Sequence, residues 1–315
     1  MKIRESGLPF DDFRALLAQL PDANEDVLAL TQTQITERFG EKSSVLGELC
    51  KWLAAWSGTS PSVKRPVLTL FAGTHSVDSH DSSGLLEEIA EISSGSAAIN
   101  RVCHVYDLGL KVLDLALQIP VADITNEAAL DEKSCAGTIA FGMEAIAGGT
   151  DLLCSAVIED DFNVSNAAIL TIVGGVEPKG IFSDGQSEKV SLTEEAVQLV
   201  NGHCADGFEI LRRLGGRETA AICGAILAAR IQHIPVLLGG PTAMTCLILL
   251  EKFDPGSTGH CMMAQPTGNP AVDQLAERVG VKFVLDNHAS ANPAIQVAIA
   301  AGIARSASAA FAINS

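Results

Sequence analysis

The segment Gly207–Gly240, GFEILRRLGGRETAAICGAILAARIQHIPVLLGG, constrains the fold more than any other part of the sequence. Its pattern predicts a short helix, a Gly215-Gly216 turn, an apolar Ala-rich helix over about 218–231 and a buried strand at Ile234–Leu238. A helix followed at once by a buried strand is typical of parallel α/β sheets. Ligands bind at the carboxyl ends of strands in such sheets, and Gly239-Gly240 would let the backbone approach one there.

The rest of the chain alternates between predicted strands and helices, which indicates an α/β fold with a doubly wound parallel sheet. Further strands are predicted at Val67–Phe71, Val105–Gly109, Leu153–Ile158, Cys261–Ala264 and Val281–Leu285. Residues 1–60 have helical spacing, and a cluster of turn residues at 57–61 follows them. We therefore expect an α/β domain over 61–292 and a small domain formed by 1–60 with part of the C-terminal helix at 293–315.

Composition excludes several classes of function. The net charge of −17 would repel a polyphosphate backbone, so nucleic acid is not an expected partner. No uninterrupted apolar run reaches the length of a membrane span, so no membrane association is expected. The eight cysteines are scattered without a CxxC pair, which disfavours a metal cluster. The scattered cysteines and the absence of a signal-peptide pattern together predict a protein of the reducing cytoplasm.

Polar groups follow four of the predicted strands and should meet at one edge of the sheet. They are Thr74-His75, Asp107, Glu159-Asp160-Asp161 and Asp286-Asn287-His288. Glu159 is the favoured general base, because it follows a fully apolar strand whose walls would raise its pKa. The alternatives for Glu159 are an ordinary solvated acid or a helix cap. The three consecutive acids are also compatible with a Mg²⁺ site beside a substrate phosphate, although acidic loops are common in acidic proteins.

A cation and a helix start lie close together after the glycine-containing loop at 174–188. Lys189 precedes a predicted helix whose capping box is Ser191 and Glu194. A lysine beside free backbone N–H groups is a candidate phosphate site, and the alternative is a solvated lysine. No Walker A motif occurs and no GxGxxG follows a strand, so classical dinucleotide binding has little support.

The order of these motifs resembles a known family, the nicotinate-nucleotide–dimethylbenzimidazole phosphoribosyltransferases of cobalamin nucleotide-loop assembly. The resemblance covers roughly 26–310 and is densest in Gly207–Gly240, which is similar to the family's VGG-x-E-x-AA-x-x-G-A-x-LAA…PVLLDG pattern. Weaker matches occur in the correct order: VLTLFAGTHSV at Val67–Val77, SGSAAIN at Ser94–Asn100, TIAFGMEA at Thr138–Ala145, and Ala156–Ala168, which places the family's first active-site glutamate on Glu159.

The resemblance implies a Rossmann-like homodimer that moves a 5-phosphoribosyl group from nicotinate mononucleotide to a benzimidazole-type base. In that reaction a glutamate accepts the proton of one benzimidazole nitrogen, the other nitrogen attacks C1′, and nicotinate leaves. The product is α-ribazole 5′-phosphate. Because the positively charged nicotinate ring is already a good leaving group, no metal or cofactor is implied. Lys189 looks like the family's lysine near the 5′-phosphate. The other residues expected to bind substrate are Thr74, His75, Gly174, Gly175, Gly239, Gly240 and Asn287.

Several site loops depart from the family pattern. The family's second glutamate falls on Asn287, so that Asp286 or His288 would have to act as the catalytic base in its place. A displacement by one residue can cost orders of magnitude in rate. The family's aspartates are replaced at Gly239 and near Gly73-Thr74. Two alternatives therefore stand beside the transferase: an impaired paralogue that binds a nucleotide or a base, and an enzyme of changed chemistry that uses Asp160-Asp161 with a metal.

Overall fold

The computed structural model describes residues 7–40, 44–77, 83–158, 161–200, 202, 206–286 and 292–312. Five parallel strands form one sheet in the order β2-β1-β3-β4-β5. The strands are β1 (Pro66–Ala72), β2 (Gly109–Asp114), β3 (Leu152–Val157), β4 (Val236–Leu238) and β5 (Cys261–Met263). The predicted α/β fold with a doubly wound parallel sheet is confirmed.

Helices connect and flank the strands. They are α1 (Phe10–Leu17), α2 (Glu25–Phe39), α3 (Val45–Ser57), α4 (Ser83–Ser94), α5 (Ala98–Tyr106), α6 (Glu132–Gly142), α7 (Val164–Gly174), α8 (Pro178–Ile181), α9 (Ser187–Val200), α10 (Gly207–Leu214), α11 (Arg217–Ile231), α12 (Pro241–Phe253), α13 (Pro270–Arg278) and α14 (Pro293–Phe311). A 3-10 turn, Met143–Ile146, follows α6. The segment Gly207–Gly240 thus forms α10, α11 and β4, as predicted.

The sheet has a hydrophobic core on each face, because successive side chains of a strand point to opposite sides. On β3, Leu153 and Val157 pack into the core that contains α6, α7, α10, α11, α12 and α13. Cys154 and Ala156 pack into the other core with α3, α5 and α14. Both faces are therefore covered, which explains why β3 is apolar at nearly every position.

Helices α6 and α11 approach each other unusually closely through two glycines. A Cβ atom on Gly224 would lie 1.9 Å from the carbonyl oxygen of Ile139. A Cβ atom on Gly142 would lie 2.0 Å from the carbonyl oxygen of Ala221. Only glycine fits at these positions, since the obstructing atoms belong to the backbone. This contact fixes the depth at which α11 packs on α6.

Helix α14 lies across the face opposite α11 and contacts β1, β3, β4, α3 and α5. Among the described helices, α14 alone is long and apolar enough to cross a membrane, but more than half of it is buried within the fold. The ring of Tyr106 packs directly against Gly302 of α14. A Cβ atom on Gly302 would lie 2.4 Å from Tyr106 Cε1. Burial of this kind is what a core helix shows.

The strand predicted at Val105–Gly109 is wrong. Val105 and Tyr106 form the last turn of α5, which ends at Asp107 in the left-handed conformation (φ 52°). The strand begins only at Gly109. Asp107 therefore lies at the amino end of β2 rather than at its exit, and its Oδ2 accepts a hydrogen bond from Arg305 Nη2 at 2.8 Å. The packing of Tyr106 on α14 favours the helix over the strand.

Two smaller predictions also need correction. Residues 281–285 form only an isolated parallel bridge, Met263↔Phe283, instead of a strand. Helix α9 begins at Ser187, so Ser191 lies inside the helix and donates a hydrogen bond to Glu195 Oε1 rather than capping it. The glycine-punctuated loop before α9 also contains the single helical turn α8.

The seven cysteines that the structure describes are all buried, and no disulfide joins any two of them. Burial raises the pKa of Cys50 to about 12 and that of Cys103 to about 11. Cys223 and Cys246 lie inside α11 and α12, as expected for inert core residues.

Candidate functional site at the carboxyl ends of the strands

The exit of β1 carries Thr74 and His75, which were predicted to bind substrate. Thr74 Oγ1 donates to the carbonyl oxygen of Leu117 at 3.0 Å, so this hydroxyl ties β1 to the segment that follows β2. The backbone of His75 adds to the link through a parallel bridge with Val121, and the Ser76 side chain donates from Oγ to the Val121 carbonyl oxygen at 2.7 Å. The loop after β1 is thus held by the loop after β2.

His75 also contacts α11, through a glutamate that the site prediction did not include. Nε2 of His75 donates to Oε1 of Glu218 at 2.6 Å. The exposed fractions of the two side chains are 10% and 3%, so the pair is almost entirely shielded from water. Glu218 lies in the first turn of α11, where the helix dipole stabilises a negative charge.

The neighbourhood of Glu218 keeps its carboxylate ionised. Burial raises the pKa of Glu218, whereas the charge of His75 and the hydrogen bond from it lower that pKa. The net result is a pKa below the usual value of a glutamate. We therefore treat Glu218 as a buried anion whose charge is balanced chiefly by His75.

Two glycines leave room for this carboxylate. A Cβ atom on Gly73 would lie 2.2 Å from Glu218 Oε2, and one on Gly216 would lie 2.0 Å from Glu218 Oε1. Oε2 is buried and has no hydrogen-bond partner within the described residues. The end of β1 and the start of α11 are therefore shaped around the Glu218 side chain.

The exit of β4 carries the predicted Gly239 and Gly240. A Cβ atom on Gly239 would lie 2.5 Å from Val297 Cγ2 and 2.7 Å from the Pro293 carbonyl oxygen, so Gly239 permits close packing of α14. Gly240 has φ 90° and precedes the first turn of α12. At this exit Gly239 therefore allows α14 to pack closely, and Gly240 allows the backbone to adopt a positive φ.

A buried polar pair lies between the first turns of α7 and α12. Asn166 Nδ2 donates to Thr242 Oγ1 at 3.0 Å, and both side chains are buried. Oδ1 of Asn166 and Oγ1 of Thr219 in α11 are buried without a hydrogen-bond partner in the described chain. Helix N-termini with polar side chains therefore surround the exits of β3 and β4.

Lys189 points toward the segment that follows β3. Its Nζ donates to the carbonyl oxygen of Phe162 at 3.4 Å and lies 5.8 Å from the centre of the Phe182 ring. Phe162 closely follows the predicted base Glu159 in sequence. The structure thus places the Lys189 ammonium beside the loop that leads from β3 into α7.

Gly174 and Gly175 lie at the other end of α7. Gly175 ends the helix in the left-handed conformation (φ 66°), and a Cβ on Gly174 would lie 2.1 Å from Leu275 Cδ2. The 11 residues of α7 separate them from the exit of β3 by about 16 Å. The described structure does not bring these two glycines to the strand exits.

The remaining candidates fall largely outside the described residues. Glu159, Asp160, Asn287 and His288 all lie in ranges that the structure does not describe. Asp286 is described and exposed, and it follows the segment that bridges to β5. Within the described ranges, no three His, Cys, Asp or Glu side chains are grouped so that they could hold a metal ion.

Sequence reasoning missed the contact of Glu218 with His75 because the two residues are distant in the chain. A signal was nevertheless present: an acid in the second position of a largely apolar helix, two residues after Gly216. A buried acid in an Ala-rich helix needs a partner, and a strand-exit histidine is a natural one.

Comparison with known proteins gives one consistent result. The sequence model of a family described as Phosphoribosyltransferase matches residues 21–313. The nicotinate-nucleotide–dimethylbenzimidazole phosphoribosyltransferase of Agrobacterium fabrum is 43% identical, over 96% of this chain and 92% of that protein. The protein of the same name from Rhizobium etli is 43% identical, over 96% of this chain and 94% of that protein.

A solved structure supports the fold. The crystal structure of the protein of that name from Thermus thermophilus superposes with a TM-score of 0.78 at 21% identity. The match covers 91% of this chain and 96% of the Thermus chain. Architecture has therefore been retained where sequence has diverged widely.

Proposed function

Because the chain belongs to the phosphoribosyltransferase family, we propose that it transfers the 5-phosphoribosyl group of nicotinate mononucleotide to a benzimidazole-type base. The products are α-ribazole 5′-phosphate and nicotinate. The observation that carries this proposal is the near full-length match, at 43% identity, to proteins named for that reaction.

In the proposed reaction, one nitrogen of the benzimidazole attacks C1′ of the nucleotide while the bond from C1′ to the nicotinate nitrogen breaks. The bonding electrons leave with nicotinate, whose ring loses its positive charge. The proton on the other benzimidazole nitrogen passes to a carboxylate, for which Glu159 is the candidate. This assignment is consistent with the position of Glu159 directly after the buried β3 strand.

A lysine and a histidine are available for the anionic nucleotide. Lys189 lies beside the loop after β3, and His75 lies at the exit of the adjacent strand β1. An ammonium has three donors, and the contact with the Phe162 carbonyl uses one of them. We assign Lys189 to the 5′-phosphate. In a chain of net charge −17, such a local cation counters the repulsion of an anionic substrate.

Because the resemblance places the family's second glutamate at Asn287, a neighbouring group would have to assist Glu159. Asp286 is the described candidate, and it is exposed at the end of its segment. A non-catalytic relative that only binds nucleotide or base is the competing function, and no contact in the described residues favours it. A turnover assay separates the two.

The oligomeric state, the cellular location and the domain division are also proposed from the resemblance to this family. We expect a homodimer that acts in the cytoplasm, with the N-terminal helices and α14 forming a small domain beside the sheet. Contact of α14 with α3 is consistent with that division. Light scattering behind a sizing column would measure the mass in solution, and a monomeric mass would contradict the dimer.

The decisive experiment is a mass-spectrometric turnover assay with nicotinate mononucleotide and dimethylbenzimidazole. Glu159→Gln removes the proposed proton acceptor and should lower kcat by at least about 100-fold. Asp161→Asn is the matched control, because it neutralises an exposed acid of the same loop. No product from the wild-type protein would refute the proposed function. Equal loss in both variants would refute the role of Glu159.

A further inference from the structure

The side chain of Asn269 links the segment that follows β5 to helix α8. Its Nδ2 donates to the carbonyl oxygen of Gly180 at 2.9 Å and to that of Ile181 at 3.0 Å. Its Oδ1 accepts hydrogen bonds from the backbone N–H groups of Ala271 and Val272, both at 3.1 Å, and so caps α13. The amide therefore uses its donors and its acceptor to hold two elements together.

The bonds from Nδ2 satisfy carbonyl groups that α8 cannot satisfy itself. A helix has no internal partners for its last carbonyl groups, and α8 is only the four residues Pro178–Ile181. The Ile181 carbonyl belongs to the peptide group that joins Ile181 to Phe182. Asn269 thus fixes the backbone directly at Phe182, whose side chain is buried.

The turn that carries Asn269 is itself held in place. Asp273 of α13 accepts hydrogen bonds at Oδ1 from the Thr267 backbone N–H at 2.8 Å and from the Thr267 hydroxyl at 2.7 Å. Its Oδ2 accepts from the Gly268 N–H at 2.9 Å. Gly268 has φ 87°, in the left-handed region that suits glycine. A side chain presented by such a turn loses little freedom when it makes its own contacts.

Phe182 in turn lies beside the cation assigned to the substrate. Lys189 Nζ is 5.8 Å from the centre of the Phe182 ring and donates to the Phe162 carbonyl oxygen at 3.4 Å. Only residues 182–186 separate α8 from α9, the helix that carries Lys189. The position of the ammonium therefore depends on where α8 ends.

We propose that Asn269 is a positioning residue of the phosphoribosyltransferase site. It fixes the end of α8, and through Phe182 it places the Lys189 ammonium where the 5′-phosphate of the nucleotide binds. This inference rests on the proposed function, because it takes Lys189 as the phosphate contact. Asn269 itself does not touch the substrate, since its amide is occupied by α8 and α13.

The test compares two substrates that differ only in the group that Lys189 binds. Nicotinate mononucleotide carries the 5′-phosphate, and nicotinate riboside lacks it. Asn269→Ser keeps a good N-cap residue for α13 but is too short to reach α8. Because the hydrogen bond to the phosphate is weakened, kcat/KM for nicotinate mononucleotide should fall about tenfold, whereas kcat/KM for the riboside should change less than about twofold. A loss of stability alone would lower both values together.

A double variant tests whether Asn269 acts through Lys189. Lys189→Met removes the cation and should lower the preference for the nucleotide over the riboside at least about tenfold. Asn269→Ser combined with Lys189→Met should be no worse than Lys189→Met alone, because the two residues act as one unit. Additive effects, about 100-fold in the double variant, would overturn the proposal.

Asn24→Ser is the control for the substitution itself. Asn24 caps α2 as Asn269 caps α13, and its Oδ1 accepts from the Val27 N–H at 3.0 Å. Helix α2 packs on α3, so this variant should leave the preference between the two substrates unchanged. If Asn24→Ser lowered the preference as much as Asn269→Ser does, the link to α8 would not be the cause and the proposal would fail.

Phe182→Leu interrupts the same path at a second point. It removes the ring beside the ammonium and leaves an apolar side chain in the core. The preference for the nucleotide should fall about threefold, with kcat/KM for the riboside unchanged. An unchanged preference in both Phe182→Leu and Asn269→Ser would refute the positioning role.

Calorimetry separates the positioning role from the transferase activity. Absence of product from the wild-type protein would refute the transferase. The dissociation constants of the nucleotide and the riboside would still test the positioning role, because the preference for the nucleotide should fall about tenfold in Asn269→Ser. Normal turnover with an unchanged preference would refute the positioning role alone. A wild-type protein that binds the two compounds equally, or binds neither, would refute it as well.

Discussion

The close contact between α6 and α11 predicts that two similar glycine-to-alanine substitutions will change the free energy of unfolding in opposite directions. Gly224→Ala places a methyl group 1.9 Å from the carbonyl oxygen of Ile139 and 2.8 Å from its carbonyl carbon. Ordinary contact begins near 3.4 Å, so the two helices must separate by about 1.5 Å. Neither obstructing atom belongs to a side chain that can rotate away.

The magnitude follows from two opposing contributions. Overpacking of a core costs about 1–3 kcal/mol, and a contact between backbones belongs at the upper end of that range. Alanine is favoured over glycine inside a helix by about 1 kcal/mol, which offsets part of the cost. We expect Gly224→Ala to lower the free energy of unfolding by about 2 kcal/mol.

Gly137→Ala is the matched control on α6. Gly137 is exposed, and a Cβ there would have no heavy atom within 4 Å. Helix propensity then acts alone, and the free energy of unfolding should rise by about 0.5–1 kcal/mol. Urea unfolding followed by circular dichroism measures both variants. If Gly224→Ala stabilised the protein as Gly137→Ala does, the close packing of α6 on α11 would be refuted.

Three further predictions concern titration, reactivity and the corrected strand. Burial, with a smaller contribution from Arg230, lowers the pKa of His260 to about 3, so acid should destabilise the fold by about 1.4 kcal/mol per pH unit between the ordinary value of 6.5 and 3. His260→Gln should remove this slope from the pH dependence of urea unfolding, whereas replacement of the exposed His104 should not. The seven described cysteines should resist iodoacetamide in the native protein and react in urea, and rapid native labelling seen by mass spectrometry would contradict their burial. Asp107→Asn should leave turnover unchanged and cost less than about 1 kcal/mol in thermal unfolding, because Asp107 is an exposed residue at the amino end of β2, away from the strand exits, and its ion pair with Arg305 is therefore weak.

The elements that sequence predicted well are those with strong local signals. The segment from α10 to β4 combines helical spacing, a Gly-Gly turn and a short apolar strand, and each feature is decided within a few residues. The strand misplaced at Val105–Gly109 shows the limit of this reasoning. There the outcome depends on Tyr106 packing against Gly302, which lies in the C-terminal helix and which no local pattern reports.

The site was less predictable for a related reason. His75 could be proposed from its position after β1, but its partner Glu218 is distant in sequence and was visible only once α11 was placed beside that strand. Thr74 and Gly239 were expected to meet substrate, yet their described contacts are with the Leu117 carbonyl and with α14. Position at a strand exit predicts a neighbourhood but not the direction in which a side chain points.

The placement of α14 also has a consequence for how the chain reaches its native state. This helix covers β1, which precedes it by more than 200 residues in the sequence, so one half of the core depends on the closing of a very long loop. Contacts of such sequence separation form slowly, and the apolar face of the sheet stays open to solvent meanwhile. Refolding at high concentration should therefore divide between productive docking of α14 and aggregation through that face.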